Sequence, residues 1–155
     1  VRCIDPRLVL AAAVVALAGC AGGPSGKPSG NPPLIAEPPT QLAPPARLRS
    51  MHEVQVQAAM RLVAAHPNGT YEGDPPEVLL AIPVLEVELN ANGTVRRIEV
   101  LRLPGQAPET TQMAIDAVHR AAPFGNVSHL PKPWKFVEVF LFQDDRRFKP
   151  RTLDR

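Results

Sequence analysis

Behind Ser50, apolar residues recur at Val54, Ala58, Leu62 and Ala65, a step that keeps them on one side of a helix. Glu53, Gln57 and Arg61 make a polar stripe on the opposite side. Ser50 and Glu53 form a capping box: the serine oxygen accepts from the Glu53 amide and the glutamate reaches back. Pro67-Asn68-Gly69 ends the helix. From Val78 to Leu89 the pattern turns β-like, with Leu85, Val87 and Leu89 alternating against Glu86 and Glu88, so one face is buried and the other wet. Val78, Leu80 and Ile82 are apolar at even positions instead, so a bulge, bend or edge strand is expected at Pro83.

Asn90-Ala91-Asn92-Gly93 is a turn signal that joins this strand to a second, Thr94 to Leu103, as an antiparallel hairpin. Pro104-Gly105 closes the second strand. Pro108 and Glu109 then open a helix whose Ala114, Ile115, Val118, Ala121 and Ala122 face inward, and Pro123 stops it. Six of the seven aromatic residues follow, and Trp134 to Phe142 reads as a third strand, apolar on both faces except at Lys135 and Glu138. The expected fold is therefore α+β, in the order α-β-β-α-β. Two helices pack on one face of a three-stranded antiparallel sheet.

The chain before this domain has a different character. Leu8 to Ala18 is an unbroken apolar run, preceded by Arg2 and Arg7 and followed by Gly19 and Cys20. It is short of the roughly 20 residues that a membrane-spanning helix needs, and its flanks are those of a secretory signal. Leu17-Ala18-Gly19-Cys20 resembles the lipobox of bacterial lipoproteins, in which the signal is cut before the cysteine and its sulfur is acylated. The resemblance implies a signal peptide over residues 1–19 and lipid, palmitate among it, on Cys20, with Cys3 discarded. It also implies a membrane-tethered protein of the cell envelope facing the periplasm. Ala21 after the cysteine favours the outer membrane over the inner by the sorting rules of enteric bacteria.

Residues 20–46 make a spacer: from Ala21 to Ala46 there are eight prolines, four glycines and two charges. Such a segment cannot bury enough surface to offset its ordering entropy and is expected to be a disordered, extended tether. At about 3.1 Å per residue it reaches at most roughly 80 Å. The folded domain is expected over residues 47–145, and residues 146–155, with five basic residues and one acid, as a solvated, frayed tail.

The second half carries a more specific likeness. Leu85, Val87 and Leu89, then Gly93 and Val95, Ile98 and Val100, Gly105, Ala114-Ile115-Asp116-Ala117-Val118, Ala121, Pro123 and Phe124 follow one another as in the C-terminal domain of the TonB and TolA family, which residues 84–143 resemble. The chain departs from that pattern at Thr111, where an aspartate is usual, at Met113, where an alanine is usual, and at Gly125, which replaces a second proline. The resemblance implies a periplasmic module that binds an envelope protein or peptide, by adding a strand to a sheet edge. The candidate partner-binding residues are Phe136, Glu138, Phe140 and Phe142, on the aromatic strand. A lipobox in place of an uncleaved membrane-spanning helix implies binding without energy transduction. The alternatives are an assembly lipoprotein that forms a homodimer through its aromatic strand, or, if the N-terminal segment is not cleaved, a TonB-type energy transducer for outer-membrane transport.

Composition narrows the chemistry further. A net charge of +2 lacks the concentrated basic face of a nucleic-acid binder. The cysteines and the four histidines, His52, His66, His119 and His129, have no zinc spacing, and Asp116 with His119 is one pair without a second. Glu86 and Glu88 share a strand face but are explained by alternation. No serine or cysteine sits in a nucleophile elbow and no glycine pattern fits a phosphate loop. The expectation is a binding module with no catalytic residue, no metal and no cofactor.

Overall fold

The computed structural model describes residues 42–154; the expected signal peptide, the Cys20 lipid site and the linker as far as residue 41 lie outside the described residues. Helix α1 runs from Met51 to Ala65. Ser50 is extended at the N-cap, and its Oγ accepts from the Glu53 amide at 3.2 Å. Glu53 Oε2 accepts from Arg49 at 2.8 Å, so the reciprocal arm ties down the incoming chain one residue before the cap. Val54, Ala58 and Leu62 are fully buried, in line with the helical period.

The opposite stripe does not face water along its length. Glu53 is exposed, but Gln57 is half-buried and Arg61 is buried. Gln57 Nε2 donates to the Phe124 carbonyl at 2.7 Å, and Arg61 Nε donates to the Ala121 carbonyl at 2.9 Å. On the near side, the Ala46 amide donates to Gln57 Oε1 at 2.9 Å, and Arg61 Nη1 donates to the Ala43 carbonyl at 2.6 Å. Residues 43–46, which the sequence assigns to the tether, are thereby pinned to α1, and Leu48 is buried beside them in the core. Proline-rich composition disfavours a self-sufficient fold, yet its free carbonyls remain good acceptors for a neighbouring element.

The sheet has four strands: β1 (Val84–Leu89), β2 (Val95–Arg102), β3 (Lys135–Phe142) and β4 (Phe148–Pro150). Their order is β2-β1-β3-β4, and every pair is antiparallel. Helix α2, Glu109–Ala121, lies between β2 and β3 in the chain. The α+β class and the first hairpin therefore hold, but the expected three strands become four. The tail expected to fray supplies the fourth: Phe148 is 3% exposed and packs against Phe140, Phe142 and His66. A single 3-10 turn, Arg151–Leu153, follows. A buried phenyl ring offsets the ordering cost of the few residues around it, which charge counting alone does not register.

Pairing is irregular beside Pro83, where the register against β2 shifts between Val84 and Leu85, but the burial parity does not change there. Regular pairing of β1 begins after it, but Ala81 still forms a bridge to Phe142, and the Pro83 carbonyl accepts from Phe140 at 3.0 Å. Ala81, Pro83, Leu85, Val87 and Leu89 are all buried, so one parity runs straight through the proline. Of the even-numbered apolar residues, Leu80 still packs against the core, Ile82 is half-buried and Val78 is 84% exposed. Proline keeps its carbonyl, so it breaks the donor side of a ladder and spares the acceptor side.

The core forms where the buried face of the sheet meets both helices. Leu85, Val87, Phe136, Phe140 and Phe142 meet Val54, Ala58 and Leu62 from α1 and Ala114, Ala117, Val118 and Ala121 from α2. The β1–β2 turn is fastened to the segment after α2: Phe124 donates to the Gly93 carbonyl and Val127 to the Ala91 carbonyl, both at 2.9 Å. Gly93 has φ +83°, and a side chain there would overlap the Gly125 carbonyl. Glycine is thus required twice over, by conformation and by close approach.

Candidate docking edge

A sheet can bind an extended peptide only where a strand has unpaired amides and carbonyls on its outer side. The two borders of this sheet differ. Beside β4, the Phe148 amide donates to the Gly69 carbonyl at 3.0 Å, and Tyr71 donates to the Phe148 carbonyl at 3.3 Å. Residues 69–71 thus cover that border, with Thr70 bridged in parallel to Phe148. The other border is β2, which pairs with β1 on one side and with no strand on the other among the described residues.

Local sequence explains the character of β2. Ile98 lies opposite the buried Val87, which sets it on the core side; Arg97 opposite Glu88 and Glu99 opposite Glu86 belong to the outer side. The register shifts twice, leaving Arg96 and Leu101 as extra residues with no partner on β1. These are β-bulges, and between them Arg97 to Val100 is regular strand. Val100, Leu101 and Leu103 are 39%, 51% and 66% exposed, a run of apolar side chains at the border itself. On the outer side Arg97 pairs with Glu99 at 3.0 Å, Arg96 with Glu88 at 3.1 Å and Lys135 with Glu86 at 3.0 Å. Glu86 and Glu88 are thus half-buried members of ion pairs on the outer side of the sheet.

The sequence-stated partner residues lie elsewhere. Phe136, Glu138, Phe140 and Phe142 share one face of β3, as their alternation requires, and that face is the buried one. Strand β3 is interior: its first five residues pair with β1, and its last three pair with β4. Its remaining flank is met by α1 and the terminal turn, where Gln55 Nε2 donates to the Val137 carbonyl at 2.7 Å and to Thr152 Oγ1 at 3.0 Å. Glu138 Oε1 accepts from Thr152 at 3.1 Å and from Val139 at 3.3 Å, while Oε2 is buried with no hydrogen-bond partner. Burial pushes the Glu138 carboxyl above its ordinary range, against the hydrogen bonds from Thr152 and the neighbouring amides.

The other candidate chemistry is dispersed. His119 is exposed, and Asp116 on the same helix accepts from Gln112 Nε2 at 2.8 Å. His129 contacts the Leu48 carbonyl at 2.6 Å, and His66 contacts the Leu62 carbonyl at 2.9 Å, with burial depressing the proton affinity of the latter. Among the described residues, no three His, Cys, Asp or Glu side chains converge as metal ligands would. A shallow groove of about 570 Å³ runs past Arg47, Arg49 and His129. Thr111, where the resembled family usually has an aspartate, is buried, and its hydroxyl has no partner. No described helix is long and apolar enough to cross a membrane.

Sequence reasoning missed β2 as a border because it fixes neither strand order nor the covering of β4 by residues 69–71. One signal was available: Val100-Leu101-Arg102-Leu103 breaks strict alternation and places apolar residues on both sides. Neither a protein-family model, nor a curated protein, nor a solved structure matches the chain.

Proposed function

We propose that the protein is a lipid-anchored adaptor of the cell envelope, tethered through Cys20, whose TonB/TolA-like C-terminal domain binds an envelope protein by strand addition and does not transduce energy. The observation that carries this reading is the free border of β2 with Val100, Leu101 and Leu103 exposed beside it. Main-chain groups there would supply affinity, and the flanking side chains would supply selection. The lipobox-like Leu17-Ala18-Gly19-Cys20 and the proline-rich spacer support the tether. The docking strand in this reading is β2, because β3 pairs with β1 over its first five residues, where Gln55 meets the other flank at the Val137 carbonyl, and with β4 over its last three.

The test substitutes proline at two adjacent positions, Ile98→Pro and Glu99→Pro. Successive residues of a strand aim their amides to opposite sides, so one of the two removes an outward donor and the other an inward one. Affinity capture from envelope extracts is compared among the full chain and both variants, with folding followed by circular dichroism. A band lost with one folded variant and kept with the full chain is expected. Equal capture by all three chains overturns edge pairing. Mass spectrometry of the N-terminal peptide tests the anchor: an acylated cysteine is expected, and an unmodified sulfhydryl at Cys20 within a longer chain overturns it.

A further inference from the structure

We infer that the first occupant of the β2 border is a second copy of this chain, the two β2 strands pairing antiparallel with Ile98 opposite Ile98 of the other copy. The inference rests on reading β2 as a pairing edge and adds a partner and a register to it. In a two-fold symmetric pair of antiparallel strands, a residue at position 98 + n meets the residue at 98 − n of the other copy. Arg97 of each copy therefore faces Glu99 of the other. Both residues lie on the outer side of the sheet, and both are exposed. Two opposite-charge cross-strand pairs form, and the Arg97–Glu99 ion pair already present within each strand becomes half of an alternating square of four charges.

Other registers are worse for stated reasons. Centring on Glu99 sets like charge against like, and so does centring on Arg97. Centring on Val100 leaves Glu99 facing Leu101. A centre between two residues would bring the core side of one sheet beside the charged side of the other, because side chains alternate with a period of two. The bulges at Arg96 and Leu101 confine regular pairing to the segment between them, which keeps the strands from sliding. The dimer would join two four-stranded sheets across their free borders and partly cover Val100 and Leu101.

Sedimentation equilibrium of the detergent-solubilised full chain, compared with two charge variants, tests the inference. Arg97→Glu sets four acidic side chains together, and the dissociation constant is expected to rise roughly tenfold or more, from like charges directly opposite in two symmetric pairs. Arg97→Glu combined with Glu99→Arg restores opposite pairs in the same register and is expected to recover the dimer. Both positions are exposed, and because position 97 also lies opposite Glu88 within its own sheet, circular dichroism and urea unfolding confirm that each variant is folded before sedimentation. A chain monomeric up to about 1 mM, a range that reaches weak association, overturns the inference; so does a dimer indifferent to Arg97→Glu, or a double variant no better than the single one.

Register is read independently. Under oxidation, Ile98→Cys is expected to give a disulfide-linked dimer above the background of the unsubstituted chain, because directly opposed residues lie within disulfide reach. Arg102→Cys, facing position 94 in this register, should remain at background, and equal cross-linking of the two overturns the register. The outcome is separable from the adaptor reading. A monomer that still captures an envelope protein through β2 sinks self-pairing alone, whereas capture unaffected by both proline variants sinks the adaptor reading and leaves the sedimentation result standing.

Discussion

Glu138 is the residue at which stability and acidity meet. A carboxyl buried to 0% exposure, with one oxygen held by the Thr152 and Val139 amides and the other unpartnered, is costly to ionise. Its folded pKa is raised, so the folded chain binds this proton more tightly than the unfolded chain, whose ordinary value is near 4.5. The associated stability is present in full below that value and is lost as pH rises through the folded pKa. Glu138→Gln removes the titration. Urea unfolding between about pH 4 and pH 8 should show the unsubstituted chain losing more stability with rising pH than the variant. Parallel profiles would show that Glu138 is not the source. In the sequence Glu138 stands out as an acid within an apolar strand, and its parity with Phe136, Phe140 and Phe142 is legible there. Which face of that strand is covered is not, since alternation gives two faces and only packing chooses between them.

At the scale of elements, α1 is held by its polar stripe as well as by its apolar one. Ala121 is the last residue of α2, so its carbonyl is one that the helix itself leaves unsatisfied. Arg61 supplies the donor and adds positive charge at the negative end of the helix, while its second arm holds the Ala43 carbonyl. Burial makes the guanidinium easier to deprotonate than usual, yet it remains charged at any working pH. Arg61→Ala leaves two carbonyls short of a donor and should cost about 2–4 kcal/mol, by the usual worth of hydrogen bonds to a charged group. Equilibrium unfolding measures this, and a loss below about 0.5 kcal/mol, the range of ordinary surface substitutions, would refute the clamp. The period of α1 is readable from Val54, Ala58 and Leu62. The fate of Gln57 and Arg61 is not, because a polar stripe has the same spacing whether water or a neighbouring backbone satisfies it.

At the scale of the whole molecule, the segment expected to fray belongs to the fold as β4 and the turn after it. Phe148 packs with Phe140, Phe142 and His66, and β4 closes one border of the sheet while residues 69–71 close over it in turn. Phe148→Ala should cost about 3–5 kcal/mol, as for other buried phenylalanines, whereas a frayed tail would lose nothing measurable. Thermal and urea denaturation of the full chain separate the two. The sequence by itself determined both helices, the β1–β2 hairpin and the alternation of β1, because period, capping and turn chemistry act over a few neighbouring residues. Only the tertiary structure decided that β3 is interior, that β4 exists and that β2 is the open border. Those outcomes depend on which strands pair across tens of residues and on which side chains a second element happens to cover, and no local pattern records either.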